Sequence, residues 1–243
     1  MTVRASVAMA VYQGEKYLKK QLDSIITQLG DDDELVLSYD SSTDRTWEII
    51  NTYAAGDGRI FVVTDGGQGV IDNFNNALAH CRGRYLFIAD QDDIWLPGKI
   101  DNMIAAFGRT GASLIVHNGV AIDETDTVIS DDFFSTYRIG PSFWRNFFQS
   151  RYSGCCMAFT AEFASFVLPI PEDCDAYDRY LALCAERFAR IVFMDEVFIH
   201  HRLHGKNVTP RKSRKIDVIL KTRWKMWQTL KLKRRLMGLQ NRK

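Results

Sequence analysis

The sequence of 243 residues has little cysteine and no long apolar run. Its five cysteines are an odd number without a C-x-x-C pair, which argues against both a disulfide framework and a zinc ribbon. No segment approaches the roughly 18 consecutive apolar residues of a membrane-spanning helix, and the N-terminus lacks a basic segment followed by a signal-length apolar run. We therefore expect a reduced, cytoplasmic protein without a transmembrane helix.

Proline and glycine are also scarce, at 5 and 16 residues, while 46% of the residues are hydrophobic and 25% are charged. This composition excludes a disordered or fibrous chain and is typical of a globular protein. A chain of this length can bury one good core. We expect one catalytic-sized domain, residues 1–209, followed by a C-terminal tail, residues 210–243.

The net charge of +1 conceals two oppositely charged parts of the chain. Residues 205–243 contain 14 Lys and Arg and a single acid, Asp217, for a net charge of +13, whereas residues 1–204 carry a net charge of −12. Such a basic tail predicts contact with an anionic surface, either a membrane or a nucleic acid.

Alternating strand-like and helical patterns predict an α/β fold with a mostly parallel sheet sandwiched by helices. Apolar runs predict strands, and apolar residues at helical spacing predict helices between them. A helix carrying Leu18 and Leu22 ends near Gly30, and Ser42 or Thr43 is placed to cap a helix that begins near Asp44. The predicted strands are 6–11, 34–38, 60–63, 84–89 and 112–117, with 191–202 as a strand or a hairpin, and further helices are 70–80, 96–107 and 177–188. Seven aromatic residues within 133–148 fit core packing or a flap that faces the substrate.

Carboxylates follow two of the predicted strands. Asp40 comes after the second strand, and the segment 90–93, DQDD, comes directly after the fourth. The carboxyl ends of strands in an open α/β sheet face one edge, where ligands bind. Three carboxylates within four residues repel one another unless a cation lies among them, and Mn²⁺ or Mg²⁺ prefers oxygen ligands. The alternative is a solvated acidic turn that caps the next helix.

Three segments in this order resemble family 2 glycosyltransferases of the GT-A fold, in the rhamnosyltransferase-like branch that builds bacterial surface polysaccharides. They are 7–14 (VAMAVYQG), 38–44 (SYDSSTD) and 90–97 (DQDDIWLP), and the resemblance extends over about residues 3–209. It implies that Asp92, the second acid of a D-x-D motif, and His204 hold Mn²⁺ or Mg²⁺. It also implies that a nucleotide-sugar is bound by Val11, Tyr12, Asp40, Asp90, Gln91, Gly154 and Arg202.

Two departures from the family pattern leave the nucleotide base open between uridine and deoxythymidine. The family usually has Asp-Asp-Gly-Ser-Thr-Asp where this chain has 39–44, so Tyr39 replaces an acid and Ser41 replaces the glycine. Further along, Arg202, His204, Gly205 and Asn207 match a family pattern that implies a loop closing on the diphosphate or the metal. Arg202 and His204 would then offset charge on the leaving group.

Inverting transfer needs a carboxylate that removes the proton of the acceptor hydroxyl. Asp173, Asp175 and Asp178 are the candidates in one short stretch. In this branch a His-Asp pair usually precedes an aromatic-Leu-Ala-Leu run, and the chain has Tyr177 in the histidine position, followed by Asp178. The resemblance therefore favours Asp178 as the general base, the alternative being a helix first-turn acid that the dipole stabilises.

Two other candidate sites are weaker. Residues 200–204, HHRLH, suggest zinc, but adjacent histidines on a strand point to opposite faces and no cysteine cluster completes the set. Cys155 and Cys156 lack a cationic neighbour in the sequence, so a buried structural strand is favoured over a nucleophile. The glycines of 66–69 fail the G-x-G-x-x-G spacing and predict a turn.

The basic tail has apolar residues at helical spacing among its Lys and Arg residues: Ile216, Leu220, Trp224, Trp227 and Leu230. This pattern is typical of an interfacial helix on an anionic membrane. The alternatives are packing of the helix on the acidic body or a homodimer contact.

The resemblance, together with the strand-end carboxylates and the basic tail, implies a metal-dependent inverting glycosyltransferase at the inner face of the plasma membrane. It would move a sugar such as rhamnose, galactose or glucose from a UDP- or dTDP-sugar to a glycan or lipid-linked glycan. A nucleotidyltransferase is an alternative, although residues 9–16 contain a single glycine where a phosphate loop is expected. The second alternative is a nucleic-acid-binding protein that uses the basic tail, although the acidic body would repel a phosphate backbone.

Overall fold

A computed structural model of the chain describes residues 2–149, 151–205 and 216–240. The strands are β1 Ala5–Val11, β2 Asp33–Tyr39, β3 Ile60–Val63, β4 Tyr85–Ala89, β5 Ile94–Trp95, β6 Leu114–Ile122, β7 Val128–Asp132, β8 Met157–Thr160 and β9 Ile191–Arg202. The helices are α1 Leu18–Ile26, α2 Thr46–Gly56, α3 Val70–His80, α4 Lys99–Thr110, α5 Phe133–Tyr137, α6 Phe143–Phe148, α7 Ala161–Val167, α8 Tyr177–Phe188 and α9 Ile216–Gln240. A 3₁₀ turn, Gly154–Cys156, precedes β8.

The strands form one sheet in the order β3, β2, β1, β4, β8, β6, β9, β5, with β7 beside β6. The pairs among β1 to β4 are parallel, as the sequence predicts. Beyond β4 the sheet is mixed, because β8 runs antiparallel to both of its neighbours, while β9 is parallel to β6 and antiparallel to β5. The α/β prediction is confirmed, and the sheet is entirely parallel only from β3 to β4.

The core lies on both faces of the central strands. Val7, Leu35 and Phe87, on three neighbouring strands, are fully buried, and so are Leu18 and Leu22 on the helical stripe of α1. Strands buried on both faces read as continuous apolar runs, and this is why the sequence identifies β1, β2 and β4.

Two predicted helix starts are wrong by a few residues. α2 begins at Thr46 rather than near Asp44, and the Asp44 carboxylate accepts a hydrogen bond from the Thr46 amide (3.1 Å), in place of a cap by Ser42 or Thr43. α4 begins at Lys99 rather than 96, because β5 pairs with β9 just before it.

The aromatic segment divides between core and surface. Phe133 and Phe147 are buried, whereas Tyr137, Trp144 and Phe148 are exposed. Core packing therefore accounts for part of the cluster.

The C-terminal helix α9 packs on the body. Met226 and Leu230 are buried against it, and Trp227 stacks on Trp144 with ring centroids 5.9 Å apart. Two ion pairs reinforce the contact, Arg223 to Asp175 (3.1 Å) and Lys225 to Asp173 (2.9 Å). Packing on the acidic body, an alternative from the sequence, is thus observed.

The predicted apolar stripe of α9 divides between two faces. Leu230 faces the body, whereas Leu220 and Trp224 are exposed. The Ile216 side chain and the boundary at residues 209–210 lie outside the described residues. Within the described ranges no helix has both the length and the apolar character needed to cross a bilayer.

Candidate active site

Hydrogen bonds tie together the ends of β1, β2 and β4. The Gln91 side chain accepts from the Tyr12 amide (2.9 Å) and donates to the Tyr12 carbonyl (2.7 Å). The Asp40 amide donates to the Val11 carbonyl (2.9 Å), and the Asp40 carboxylate is 3.5 Å from the Gly69 amide. The structure thus brings Val11, Tyr12, Asp40 and Gln91 to one sheet edge. The Gln91 side chain is hydrogen-bonded there to the backbone of Tyr12.

Asp92 and His204 form a pair at the same edge. Their Oδ2 and Nε2 atoms are 2.7 Å apart, and the His204 ring stacks on Tyr17 with centroids 5.2 Å apart. Burial raises the pKa of Asp92, the charge of Asp93 adds to this, and His204 opposes it. A carboxylate oxygen and an imidazole nitrogen are ligands that Mn²⁺ accepts, so the predicted metal residues are adjacent.

Arg202 is fully buried and holds the loop after β9 in place. Its side chain donates to the carbonyls of Asp92 (2.9 Å) and Asp123 (2.8 Å), pairs with Asp126 (2.5 Å), and lies 4.5 Å over the Tyr17 ring. These contacts fix the segment that carries His204. Donor binding by Arg202 itself stays a prediction, and Asn207 lies outside the described residues.

A second cluster lies behind this pair, formed by Asp90, Asp93, Cys155 and His201. One ligand atom from each lies within 4.8 Å of the others. His201 Nδ1 is 2.8 Å from Asp93 Oδ1 and 3.7 Å from Cys155 Sγ. Burial raises the pKa of Asp93 to about 6, and His201 opposes the rise.

Sequence reasoning missed this cluster as a set. Asp93 was seen only as part of the acidic turn, and His201 only as one of two histidines on opposite faces. The pairing of Ile94 with His200, between β5 and β9, brings His201 beside Asp93. No spacing in the sequence indicates that pairing, because the two strands are about a hundred residues apart.

Asp178 occupies the first turn of α8 and is only partly exposed. Its carboxylate accepts a hydrogen bond from the Arg179 amide (2.6 Å). Burial raises the pKa of Asp178 to about 6, although the hydrogen bond from Arg179 acts to lower it. The other two candidate bases are in salt bridges, Asp175 with Arg179 and Arg223, and Asp173 with Lys225.

Tyr177 links Asp178 to the carboxylate edge. Its ring packs on Phe74, with centroids 4.8 Å apart, and directly against Gly154. Burial raises the pKa of the Tyr177 hydroxyl, and the charges of Asp90 and Asp178 raise it further. The tyrosine in the histidine position therefore lies close to both carboxylates.

A polar cleft of about 790 Å³ opens beside this edge. It is lined by Gly66, Asp72 and Asn76 on one side and by 169–173 on the other. None of the residues predicted to bind donor or metal lines it, so the candidate site is the open sheet edge.

Comparisons with known proteins agree with this geometry. The sequence model of the family described as "Glycosyl transferase family 2" matches residues 6–165. The chain is 34% identical over 131 residues to the Escherichia coli UDP-Glc:alpha-D-GlcNAc-diphosphoundecaprenol beta-1,3-glucosyltransferase WfaP, covering 54% of this chain and 51% of WfaP. It is 24% identical over 226 residues to EpsH of Bacillus subtilis (strain 168), covering 88% of this chain and 65% of EpsH. The chain thus spans less than two thirds of the length of either relative.

Solved structures share the fold at low sequence identity. The crystal structure of S. aureus TarS 1-349 in complex with UDP-GlcNAc has a TM-score of 0.71 at 18% identity. The match covers 90% of this chain and 64% of the TarS chain. The mannosyltransferase PcManGT from Pyrobaculum calidifontis, in complex with GDP-Man and Mn²⁺, has a TM-score of 0.65 at 20% identity, covering 84% and 58%. The chain has the GT-A fold.

Proposed function

The chain belongs to glycosyl transferase family 2, and from this premise we propose an inverting, metal-dependent glycosyltransferase of cell-surface polysaccharide synthesis. The donor is a UDP- or dTDP-sugar, with rhamnose, galactose or glucose as the class of sugar. The acceptor is a glycan or lipid-linked glycan hydroxyl at the cytoplasmic face of the plasma membrane. WfaP, named for UDP-Glc and a diphosphoundecaprenol acceptor, supports this choice. Family membership replaces the nucleotidyltransferase and nucleic-acid-binding alternatives.

The donor binds along the edge formed by Val11, Tyr12, Asp40, Asp90 and Gln91. Asp40 contacts the base or ribose, and Asp90 contacts the ribose. Gln91 acts through the backbone, because its side chain bonds both the amide and the carbonyl of Tyr12. The bonded strand ends keep these groups in place before the donor arrives, which reduces the ordering cost of binding.

Asp92 and His204 fit Mn²⁺ or Mg²⁺, since they present an oxygen and a nitrogen ligand 2.7 Å apart at the open edge. A divalent ion there would supply positive charge to the diphosphate leaving group. The chain's own contribution is to orient the pair, because Arg202 fixes the loop through the Asp92 carbonyl and Tyr17 supports the His204 ring.

Asp178 takes the proton of the acceptor hydroxyl. The observation that carries this proposal is the position of Asp178 in the first turn of α8, directly after Tyr177, whose ring packs against Gly154. Burial there raises the pKa of the Asp178 carboxyl to about 6. A general base works best with a pKa near the working pH, and this carboxylate is both ionised at pH 7 and more basic than an ordinary aspartate.

Replacing Asp178 by asparagine tests the proposal. Asp178→Asn should lower the transfer rate by about 10²- to 10⁴-fold while leaving UDP binding within a few-fold. Asp173→Asn, five residues away and paired only with Lys225 on the exposed surface, is the matched control. Transfer by Asp178→Asn at nearly the wild-type rate would refute Asp178 as the base.

The tail, 210–243, brings the catalytic domain, 1–209, to an anionic membrane. On α9, Leu220 is 60% exposed and Trp224 is 62% exposed. Exposed basic residues accompany them on α9: Lys221, Lys231, Arg234 and Arg235. Each basic residue near an anionic surface contributes about 1 kcal/mol, and a tryptophan favours the interface.

Flotation with vesicles tests this membrane contact. Trp224→Ser should weaken binding of the full chain to vesicles containing phosphatidylglycerol, whereas Gln228→Ser, one helical turn away, should not. Vesicles of phosphatidylcholine alone should bind weakly. Equal flotation of Trp224→Ser and the wild type would contradict the proposal.

A further inference from the structure

The cluster of Asp90, Asp93, Cys155 and His201 has the composition of a zinc site rather than of a magnesium site. We propose that Asp93, Cys155 and His201, with one carboxylate oxygen of Asp90 as the fourth ligand, bind a structural Zn²⁺ separate from the Asp92 and His204 pair. The second Asp90 oxygen remains for the ribose contact proposed above. The inference does not depend on glycosyl transfer, because it concerns metal binding by the protein without donor.

The distances in the cluster suit a tetrahedral ion. Bond lengths of about 2.0–2.3 Å to N, O and S ligands put neighbouring ligand atoms about 3.3–3.8 Å apart. The separation between His201 Nδ1 and Cys155 Sγ, 3.7 Å, lies in that range. His201 Nδ1 is hydrogen-bonded to Asp93 Oδ1 at 2.8 Å, below the range, and a bound ion would replace that hydrogen bond. The whole set falls within 4.8 Å, so displacements of about 1 Å bring it to bonding geometry.

The ligand chemistry selects zinc. A thiolate and an imidazole favour a borderline-soft ion, whereas Mg²⁺ prefers oxygen ligands and has no affinity for a thiolate. Charges also balance, because three anionic ligands and Zn²⁺ leave one negative charge, and the buried Lys99 ammonium supplies one positive charge. Lys99 donates to the Cys155 carbonyl (2.7 Å), directly beside the cluster.

An unpaired buried atom points to a ligand independently of the cluster composition. Asp93 is fully buried, and its Oδ1 atom accepts from the Arg202 amide (3.0 Å), while Oδ2 has no hydrogen-bond partner among the residues that the structure describes. A buried carboxylate oxygen without a partner is costly. A metal bond to Oδ2 would remove that cost.

The cluster joins three distant segments of the chain. Asp93 follows β4, Cys155 lies in the turn before β8, and His201 lies near the end of β9. An ion held by all three would fix the floor of the candidate active site. The His201 side chain is 20% exposed, which gives the ion a path from the open edge.

Titration of the metal-free full chain with Co²⁺ tests the proposal, with Zn²⁺ as competitor. The expected results are a thiolate-to-cobalt charge-transfer band, its displacement by one equivalent of Zn²⁺, and a rise in melting temperature with Zn²⁺. Cys155→Ser should remove the band. His201→Gln, which leaves both core cysteines intact, should weaken Co²⁺ binding by at least about 100-fold, since loss of even an outer-shell partner costs about 10- to 100-fold.

Two controls separate this site from other cysteines and from the proposed catalytic metal. Cys156→Ser removes an adjacent, equally buried thiol and should keep the band. Asp92→Asn should keep the band while losing Mn²⁺-dependent UDP binding. A wild-type protein with no thiolate band, or a band that survives in Cys155→Ser, would overturn the proposal and leave the cluster a hydrogen-bonded network only.

Discussion

The Tyr177 ring lies so close to Gly154 that a Cβ atom on Gly154 would be 2.2 Å from the Tyr177 hydroxyl oxygen. The glycine is therefore required by the neighbouring side chain, and the contact connects the turn before β8 to the start of α8. Because Asp178 follows Tyr177 directly, the position of the proposed base depends on this contact.

Gly154→Ala should consequently displace Tyr177 and lower kcat. We expect a loss of about tenfold to 100-fold, since a shift of about 1 Å at a reacting group has effects of that size. Gly108→Ala is the control, because nothing lies within 4 Å of a Cβ at Gly108 in α4, and it should stabilise the protein by about 0.5–1 kcal/mol. Steady-state transfer and thermal melts measure both. An unchanged kcat in Gly154→Ala would show that Tyr177 does not position the base.

The sequence predicts the bounds of those helices and strands that have a clear local pattern of apolar residues. It does not predict which distant strands pair with one another. β3, α3, α8 and β9 have the predicted bounds, because each is a single local pattern of apolar residues. β5 has two residues and no pattern of its own, and it forms because β9 pairs with it. Its absence from the prediction shifted the start of α4.

The same distinction holds for the site. Asp40, Gln91 and Asp92 could be assigned from strand ends and from the family pattern, and the structure brings all of them to one edge. His201 contacts Cys155 because β9 lies next to the turn before β8 in the fold. These two segments are far apart in the sequence. Local periodicity contains no information on that approach.

The rate of transfer should depend on the ionisation of Asp178. Its pKa of about 6 lies above the ordinary 3.8, so the carboxyl is protonated and inactive below pH 6. We expect kcat/KM to fall about tenfold per pH unit below that value. UDP binding measured over the same pH range is the control, because Asp93 also ionises near pH 6. A decline in kcat/KM that only follows the decline in UDP binding would exclude Asp178 as its cause.

Asp178→Asn should also stabilise the fold at neutral pH. A raised carboxyl pKa means that the native state favours the protonated form, so the stability this group provides is complete below pH 3.8 and is lost as the pH rises through about 6. Asparagine avoids burying the charge, with an expected gain of about 1–3 kcal/mol at pH 8. Urea unfolding at pH 8 and pH 4 measures the difference. A gain of equal size at both pH values would contradict this explanation.

Removing either member of the Asp92 and His204 pair should abolish metal-dependent donor binding. In the wild type we expect Mn²⁺ to increase the affinity for UDP by at least about tenfold, through charge on the diphosphate. Asp92→Asn and His204→Gln should lose that increase. Asp101→Asn, an exposed acid of α4, should retain it. Calorimetry with UDP, with and without Mn²⁺, measures each case, and a Mn²⁺ effect that persists in Asp92→Asn would reject the assignment.

Arg223 should couple the C-terminal helix to the segment just before α8, the helix that carries the proposed base. Its buried guanidinium pairs with Asp175 (3.1 Å) and donates to the Phe148 carbonyl (3.3 Å). Arg223→Met removes the Arg223 ion pair from Asp175, three residues before Asp178, and keeps the Asp175 salt bridge to Arg179. We expect a loss of about 1–3 kcal/mol in the free energy of unfolding and a lower kcat with little change in the KM for the donor.

Lys221→Met is the matched control for Arg223→Met, since it removes an exposed charge from the same helix and should change neither quantity. Arg223→Lys keeps a cation near Asp175 but cannot make both contacts, so it should recover part of the kcat. Because Asp175 and Asp178 flank the beginning of α8, a lower stability with an unchanged kcat would mean that α9 supports the fold without positioning the base. An unchanged melting temperature in Arg223→Met would mean that the buried ion pair contributes nothing measurable to the docking of α9.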